Sequence, residues 1–366
     1  MGGEEEPSYL SGQLITYIGN KRALLPFLEE SIRYVRQRAG RQKLSCLDLF
    51  SGSGVVSRLL KRYASVLYAN DLETYARVLN ECYLANRSAV DTRELERGLA
   101  HIRSCTQKGL QTGFITRLYA PEDESRIRRG ERVFFTRRNA LYIDTVRALI
   151  DDFPAELRPF FLAPLLSEAS VHNNTAGVFK GFYKNRKGIG QYGGAGQHAL
   201  SRIRGEMELK LPVLSRFETE NHLMQQDAME VVRHLPELDF AYLDPPYNQH
   251  PYGSNYFMLN LIAENREPED YSPVSGIPTN WNRSPYNKAG QAREELFRLI
   301  AHCPARWILL SYNSEGFARR EEILSFLETL GRVQCREIPY QTFRGCRNLH
   351  QREQKVTEYL FLLERA

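Results

Sequence analysis

The chain has 366 residues, 42% of them hydrophobic and 11% aromatic, with a formal net charge of +5. This content builds a substantial core and excludes a disordered or collagen-like chain, while the mild positive charge permits a polyanionic partner without requiring one. The length suits one large catalytic domain with an inserted lobe, or two domains. The six cysteines, at 46, 82, 105, 303, 335 and 346, form no C-x-x-C pair. No metal site is therefore expected, and scattered thiols point to a reducing, cytoplasmic setting. No apolar run of about 18 residues is present, so no membrane association is expected.

In chain order, Tyr17-Ile18-Gly19-Asn20-Lys21 precedes a helical pattern carried by Leu24, Leu25, Leu28, Ile32 and Val35. Lys21, at the mouth of that helix, is placed to face an anion or simply to stand in water. Leu44 to Phe50 reads as a buried strand that runs into Ser51-Gly52-Ser53-Gly54 and a helix from Val55 to Tyr63. Glycines at a strand-to-helix turn let a ligand approach the backbone. The third glycine of a dinucleotide fingerprint is missing, so a nicotinamide or flavin dinucleotide is a poor fit. A second strand, Ser65 to Asn70, ends in Asp71. That acid lies 17 residues beyond Gly54, a spacing suited to ribose hydroxyls, and it equally suits a cap for the helix that follows.

Residues 87–220 break the strand–helix rhythm. Asp91 to Lys108 and Asn139 to Asp152 have helical periods. Between them Arg126, Arg128, Arg129, Arg132, Arg137 and Arg138 make a basic run interleaved with Phe134 and Phe135, which reads as a solvated face. Residues 171–210 hold eight glycines, seven lysines or arginines and two acids. Such a stretch is expected to bury no core. It offers cations for phosphates and amides for base edges, with Asn174, Lys184, Arg186 and Lys187 as candidate nucleic-acid contacts, the alternative being a plain surface loop.

The sheet rhythm returns at Asn221. Asp227 precedes a short helix and is either its cap or a ligand contact. Phe240-Ala241-Tyr242-Leu243 is an apolar strand stopped by Asp244-Pro245-Pro246-Tyr247. Two prolines fix the turn and cannot extend the ladder. A carboxylate and a ring are thus held at the carboxyl end of a strand, where open α/β sheets bind ligands. Asp244 and the Pro245 carbonyl suit an exocyclic amine, and Tyr247 suits the flat face of a base. Tyr252, Asn255 and Tyr256 follow, as aromatics and amides for an unstacked base and its neighbours. The polar tract 266–290 reads as a loop that orders on DNA. Trp307 to Ser311, Gly331 to Tyr340 and Val356 to Leu363 are three last strands. The final connection carries Arg344, a further phosphate contact or a solvated tip.

Asp244-Pro-Pro-Tyr247, preceded by Asp48-Leu-Phe50-Ser-Gly52-Ser-Gly54 and by Tyr17-Ile-Gly-Asn-Lys21, resembles the S-adenosylmethionine-dependent N6-adenine DNA methyltransferases. The resemblance covers roughly residues 15–85 and 220–365. It implies an α/β fold, a Rossmann-like class I methyltransferase sheet with a C-terminal antiparallel hairpin, plus an inserted, mostly helical and loop recognition lobe. The catalytic domain is expected over 1–86 and 220–366, and the target-recognition region over 87–219. By the same resemblance Tyr17, Lys21, Asp48, Phe50, Gly52, Gly54, Asp71 and Asp227 bind S-adenosyl-L-methionine, Lys21 through the methionine carboxylate. Asn20 departs from the more usual Gly-Gly-Lys at that point. Asp244, Pro245, Pro246 and Tyr247 capture a flipped adenine in double-stranded DNA and direct its N6 at the methyl group. A restriction–modification setting is implied too, with no obligatory protein partner; whether a cognate endonuclease accompanies it is left open by the sequence. An RNA adenine methyltransferase shares the chemistry. A degenerate DNA-binding module is disfavoured by the intact Gly52, Gly54, Asp71 and Asp244.

Overall fold

The computed structural model describes residues 5–341 and 355–366. Its centre is one sheet of seven strands: β1 (Leu44–Asp48), β2 (Ala64–Asn70), β3 (Glu220–Met224), β4 (Leu238–Leu243), β5 (Ala305–Asn313), β6 (Gly331–Gln341) and β7 (Lys355–Arg365). They lie in the order β3-β2-β1-β4-β5-β7-β6. The first five run parallel. Strand β7 is antiparallel to both β5 and β6, which is the expected C-terminal hairpin. The order reverses at β1, between β2 and β4, and the carboxyl ends of these strands open a crevice there.

The central strands read as unbroken apolar runs because both faces of the sheet are covered. Cys46, Phe240, Tyr242, Trp307 and Leu309 face one side, against the helices Leu25–Ala39 and Val55–Tyr63. Leu47, Ala241, Leu243, Ile308 and Leu310 face the other, against the helices Ala228–His234, Ala292–His302 and Arg320–Glu328. Neighbouring residues go to opposite sides, as the two-residue pleat requires.

Residues 87–219 form five helices, Thr92–Lys108, Phe114–Tyr119, Arg137–Asp151, Arg158–Val171 and Leu200–Arg204. Asp91 caps the first through Arg93 N and Glu94 N, at 2.9 and 3.2 Å. The core of this segment is continuous with the helices Thr74–Tyr83 and Phe257–Glu264, which lie outside it in the chain. Two expectations fail here. The glycine-rich tract does bury a core, since Phe179, Phe182, Tyr192 and Ile203 are all inside, and Phe134 and Phe135 are fully buried rather than interleaved on a solvated face. Isolated aromatics between glycines carry no period, yet each one finds the common core. The helix Arg158–Val171 was not expected, because nearly all of its residues are apolar and no amphipathic stripe marks it.

Among the described residues no helix is long and apolar enough to cross a membrane, and no cluster of three or more His, Cys, Asp or Glu is arranged to hold a metal ion. Arg344 lies outside the described residues.

Candidate active site

The crevice at the reversal point is a cleft of about 730 Å³, partly open to solvent. Its walls include Tyr17, Phe50, Asn70, Asp71, Glu73, Asp227, Asp244, Pro246, Tyr252, Asn282 and Tyr286. The mixture of rings and carboxylates suits a ligand with a flat ring and hydroxyl groups.

The turn after β1 reaches the cleft through Phe50, while its glycines stand behind the lining residues. Gly52 and Gly54 sit at φ +52° and +74°, a backbone region that side chains rarely adopt. Gly52 N donates to Asp71 Oδ2 at 2.8 Å, so the end of β2 clamps the turn. The other oxygen of Asp71 accepts from Glu73 N at 3.0 Å. Asp71 does not cap the next helix, which starts only at Thr74 with Glu73 as its preceding residue. The choice left open at Asp227 is resolved as both readings together: it caps Ala228–His234 through Met229 N, 2.9 Å, and it lines the cleft.

Asp48 is a correction. Its side chain is fully buried below the turn, where Ser57 Oγ donates to it at 2.6 Å, and it is absent from the cleft wall. Burial pushes its carboxyl up to about 7. Asp48 braces the turn and does not face a ligand.

Tyr17 crosses the mouth of the turn between two other tyrosines. Its ring stacks on Tyr252 at 5.1 Å and on Tyr256 at 4.9 Å, and its hydroxyl lies 3.2 Å from that of Tyr75. Tyr256 is fully buried, and its hydroxyl oxygen accepts from Ile18 N–H at 2.7 Å. Asn255 is likewise inside, at 3% exposure. As direct nucleic-acid contacts these two are displaced by their burial; they build the wall that holds Tyr17. Tyr252 is half-buried and lines the cleft. Asn174 is a third correction. It is fully buried, with Nδ2 donating to Val133 O (2.8 Å) and Oδ1 accepting from Gly193 N (3.0 Å), so it ties the glycine-rich tract together. Arg186 and Lys187 stand exposed at a turn closed by Gly188 N to Asn185 O. Lys184 is half-buried, its ammonium 4.7 Å above the Phe182 ring.

The Asp244-Pro-Pro-Tyr247 turn leaves β4 in the middle of the sheet. Phe317 N donates to Tyr247 O at 3.1 Å, and the Tyr247 ring meets Tyr312 edge-on at 5.9 Å. Asp244 keeps 19% of its side-chain surface and borders the cleft. Lys21, expected to meet a ligand carboxylate, is buried and already engaged by two protein carboxylates. Its Nζ lies 3.2 Å from Asp244 Oδ1 and 2.6 Å from Glu358 Oε1. Desolvation raises the Asp244 carboxyl to about 7 in spite of Lys21, and Glu358 adds to the rise. Glu358 itself is held low by Lys21, Ser311 and Asn313, which outweigh its burial.

Several site residues escaped the sequence reading. Glu73 is buried, accepts from Asn260 Nδ2 (2.5 Å) and Asn282 Nδ2 (3.2 Å), and is raised by burial to about 7. The signal was its place two residues after Asp71. Asn282 and Tyr286 arrive from the tract 266–290, which lines the cleft; Tyr286 meets Phe50 edge-on at 5.5 Å. Glu358 was signalled only as a lone acid in the apolar run Val356 to Leu363.

A sheet of this order, an aromatic–glycine turn after β1 and Asp-Pro-Pro-Tyr after β4 define a class I methyltransferase built to act on an amino group. The chain belongs to the D12 class N6 adenine-specific DNA methyltransferases, whose family model matches residues 17–272. It is 30% identical over 364 residues to the Type II methyltransferase M.NlaIII of Neisseria lactamica, covering 96% of this chain and 100% of that protein. It is 27% identical over 357 residues to the Type II methyltransferase M.CviAII of Paramecium bursaria Chlorella virus 1, covering 95% and 98%. Against the modification methylase StsI of Streptococcus sanguinis it is 26% identical over 367 residues and spans 52% of that longer protein. The protein is thus an adenine-specific DNA methyltransferase that uses a methyl donor.

Proposed function

We propose that the donor is S-adenosyl-L-methionine, that the substrate is an adenine flipped out of double-stranded DNA, and that the enzyme is the modification half of a restriction–modification system with a cognate endonuclease. The observation that carries this is the opening of one cleft onto both Asp71 and Asp244. The residues present fit the donor: Asp71 would hold its ribose hydroxyls, Phe50 and Tyr286 would pack against its flat ring, and Asp227 would accept from the ring's edge. When bound, S-adenosylmethionine supplies a methyl carbon on a sulfonium sulfur, which leaves with the electron pair.

Asp244 and the Pro245 carbonyl accept the two N6 hydrogens of the adenine. Two acceptors pull the N6 lone pair out of the ring and aim it at the methyl group. Positive charge grows on N6 during transfer, so a fixed carboxylate favours the transition state over the ground state. With a carboxyl near 7, Asp244 takes the surplus N6 proton and returns it to solvent. Tyr247 stacks on the base, which recovers about 1–3 kcal/mol of the cost of flipping. Residues 87–219 serve as the target-recognition region. The exposed Arg186 and Lys187 face phosphates, Lys184 stands behind them, and Tyr252 borders the extruded base.

Asp244→Ala tests this. Tritiated methyl transfer from S-adenosylmethionine to unmethylated duplex DNA, followed by nucleoside analysis, should place the label in N6-methyladenine for the wild type. The variant should lose at least about a thousandfold in turnover, the scale of a preorganised electrostatic group, while it still binds the donor. A variant that keeps most of its activity would defeat the assignment.

A further inference from the structure

Lys21 occupies an unusual position for a cation. It is 4% exposed and lies between two carboxylates, Asp244 just past β4 and Glu358 on β7, whose strands flank β5 in the sheet. Glu358 is 1% exposed and sits on β7, directly across from Asn313 on β5. Ser311 Oγ donates to Glu358 Oε1 at 2.6 Å and Asn313 Nδ2 to Oε2 at 3.1 Å. Ser311, two residues before Asn313, reaches the same acid, so the end of β5 fixes Glu358 at both oxygens. A carboxylate bound so firmly is a structural anchor for whatever cation it meets.

A lysine against Asp244 alone would form a closed one-to-one pair. The ammonium would shift further onto the carboxylate and compete with an incoming amino group for its acceptor sites. Glu358 changes that balance. The ammonium sits 0.6 Å closer to Glu358 than to Asp244, from 2.6 and 3.2 Å, and the trio carries one net negative charge. We propose that Glu358 is a positioning residue for methyl transfer: it holds the Lys21 ammonium back, so that Asp244 is kept charged by the cation yet left with an acceptor oxygen for the adenine amino group. This rests on the assignment of Asp244 as the N6 acceptor.

The two partners act on Asp244 in opposite senses. Lys21 favours its ionised form and Glu358 disfavours it. The other charged or titratable groups around Asp244 are Asp48 on β1, Tyr242 on β4, and Tyr247 and Tyr252 beyond the turn. Tyr242 and Tyr252 are held well above their ordinary range by burial and stay neutral near pH 7. Asp48 titrates near 7 and is present in every variant compared.

The test is the pH profile of single-turnover methyl transfer for the full-length enzyme on a saturating DNA duplex. Activity requires ionised Asp244, so the wild type should show an acid limb. Glu358→Gln should move that limb to lower pH and Lys21→Met to higher pH, each by about 1–3 units, the usual effect of one close charge. The plateau rate of Glu358→Gln should fall at least tenfold with donor affinity, read by calorimetry, unchanged. Glu358→Asp, which keeps the charge, should retain the wild-type limb. A merely structural Glu358 would lower melting temperature and rate together and leave both limbs in place. Limbs that stay put, or that move in the same direction, overturn the proposal. A wild-type enzyme that transfers no methyl group to DNA overturns instead the assignment beneath it.

Discussion

At the scale of single residues, the site depends on how closely Gly52 and Tyr17 approach. A Cβ on Gly52 would stand 2.9 Å from the Tyr17 hydroxyl and 3.0 Å from its ring. Moving the ring aside would break its stacking on Tyr252 and Tyr256 and its hydroxyl contact with Tyr75. A non-glycine residue forced to φ +52° also costs about 1–3 kcal/mol. Gly52→Ala should therefore weaken donor binding by roughly tenfold or more in calorimetry. Gly290→Ala, whose Cβ would meet nothing within 4 Å, should bind as the wild type does. Equal affinities for the two variants would mean that the turn tolerates a side chain and has no part in holding the donor. The glycines were legible because a strand-to-helix turn needs them. The tyrosine wall was not. Tyr252 and Tyr256 read as base contacts because sequence shows where aromatics occur and not which way they face.

At the scale of elements, legibility followed local punctuation. Strands β1, β2 and β4 are apolar runs closed by Gly, Asp or Pro, and each falls within about two residues of its expected place. Strand β5 was readable as an apolar run too, and β6 and β7 by the alternation of their side chains. The tract 266–290 gave no such signal, since its role comes from contacts far along the chain. Asn282 donates to Leu72 O (3.1 Å) and Glu73 Oε2 (3.2 Å), and Asn287 donates to Asn248 O (2.7 Å) just past the catalytic turn. The tract thus straps the Leu72–Glu73 side of the cleft to the segment after Asp244-Pro-Pro-Tyr247, where it was expected to wait for DNA. Asn282→Ala removes two hydrogen bonds, each contributing about 1 kcal/mol. Donor affinity should fall by roughly 5–30-fold, and the strap should become open to limited proteolysis. An affinity equal to that of the wild type would detach the strap from the donor site.

At the scale of the whole molecule, the site concentrates carboxylates that the fold would rather keep protonated. Asp48 and Glu73, at 0% and 4% exposure, are both raised to about 7 from ordinary values near 4, chiefly by burial. Asp244 is raised to the same value. A raised acid binds more protons in the folded state than in the unfolded one. Its contribution is fully present below the unfolded value near 4 and is lost as pH rises through about 7. The donor-free protein should then be more stable at pH 6 than at pH 7.5, with each fully buried group contributing on the order of 1 kcal/mol over that interval. Lys61 is the opposing group. Burial lowers it to about 8, so it stays largely protonated across the interval. Because the core of the 87–219 lobe is continuous with the helices Thr74–Tyr83 and Phe257–Glu264, both halves should unfold in one urea transition. The midpoint of that transition is the quantity to follow. It should rise on going from pH 7.5 to pH 6, and Glu73→Gln, which carries no charge to bury, should flatten the rise. A midpoint that falls over the same interval would show that Asp48 and Glu73 are ionised and well solvated, and that the donor cleft is wetter than its walls indicate.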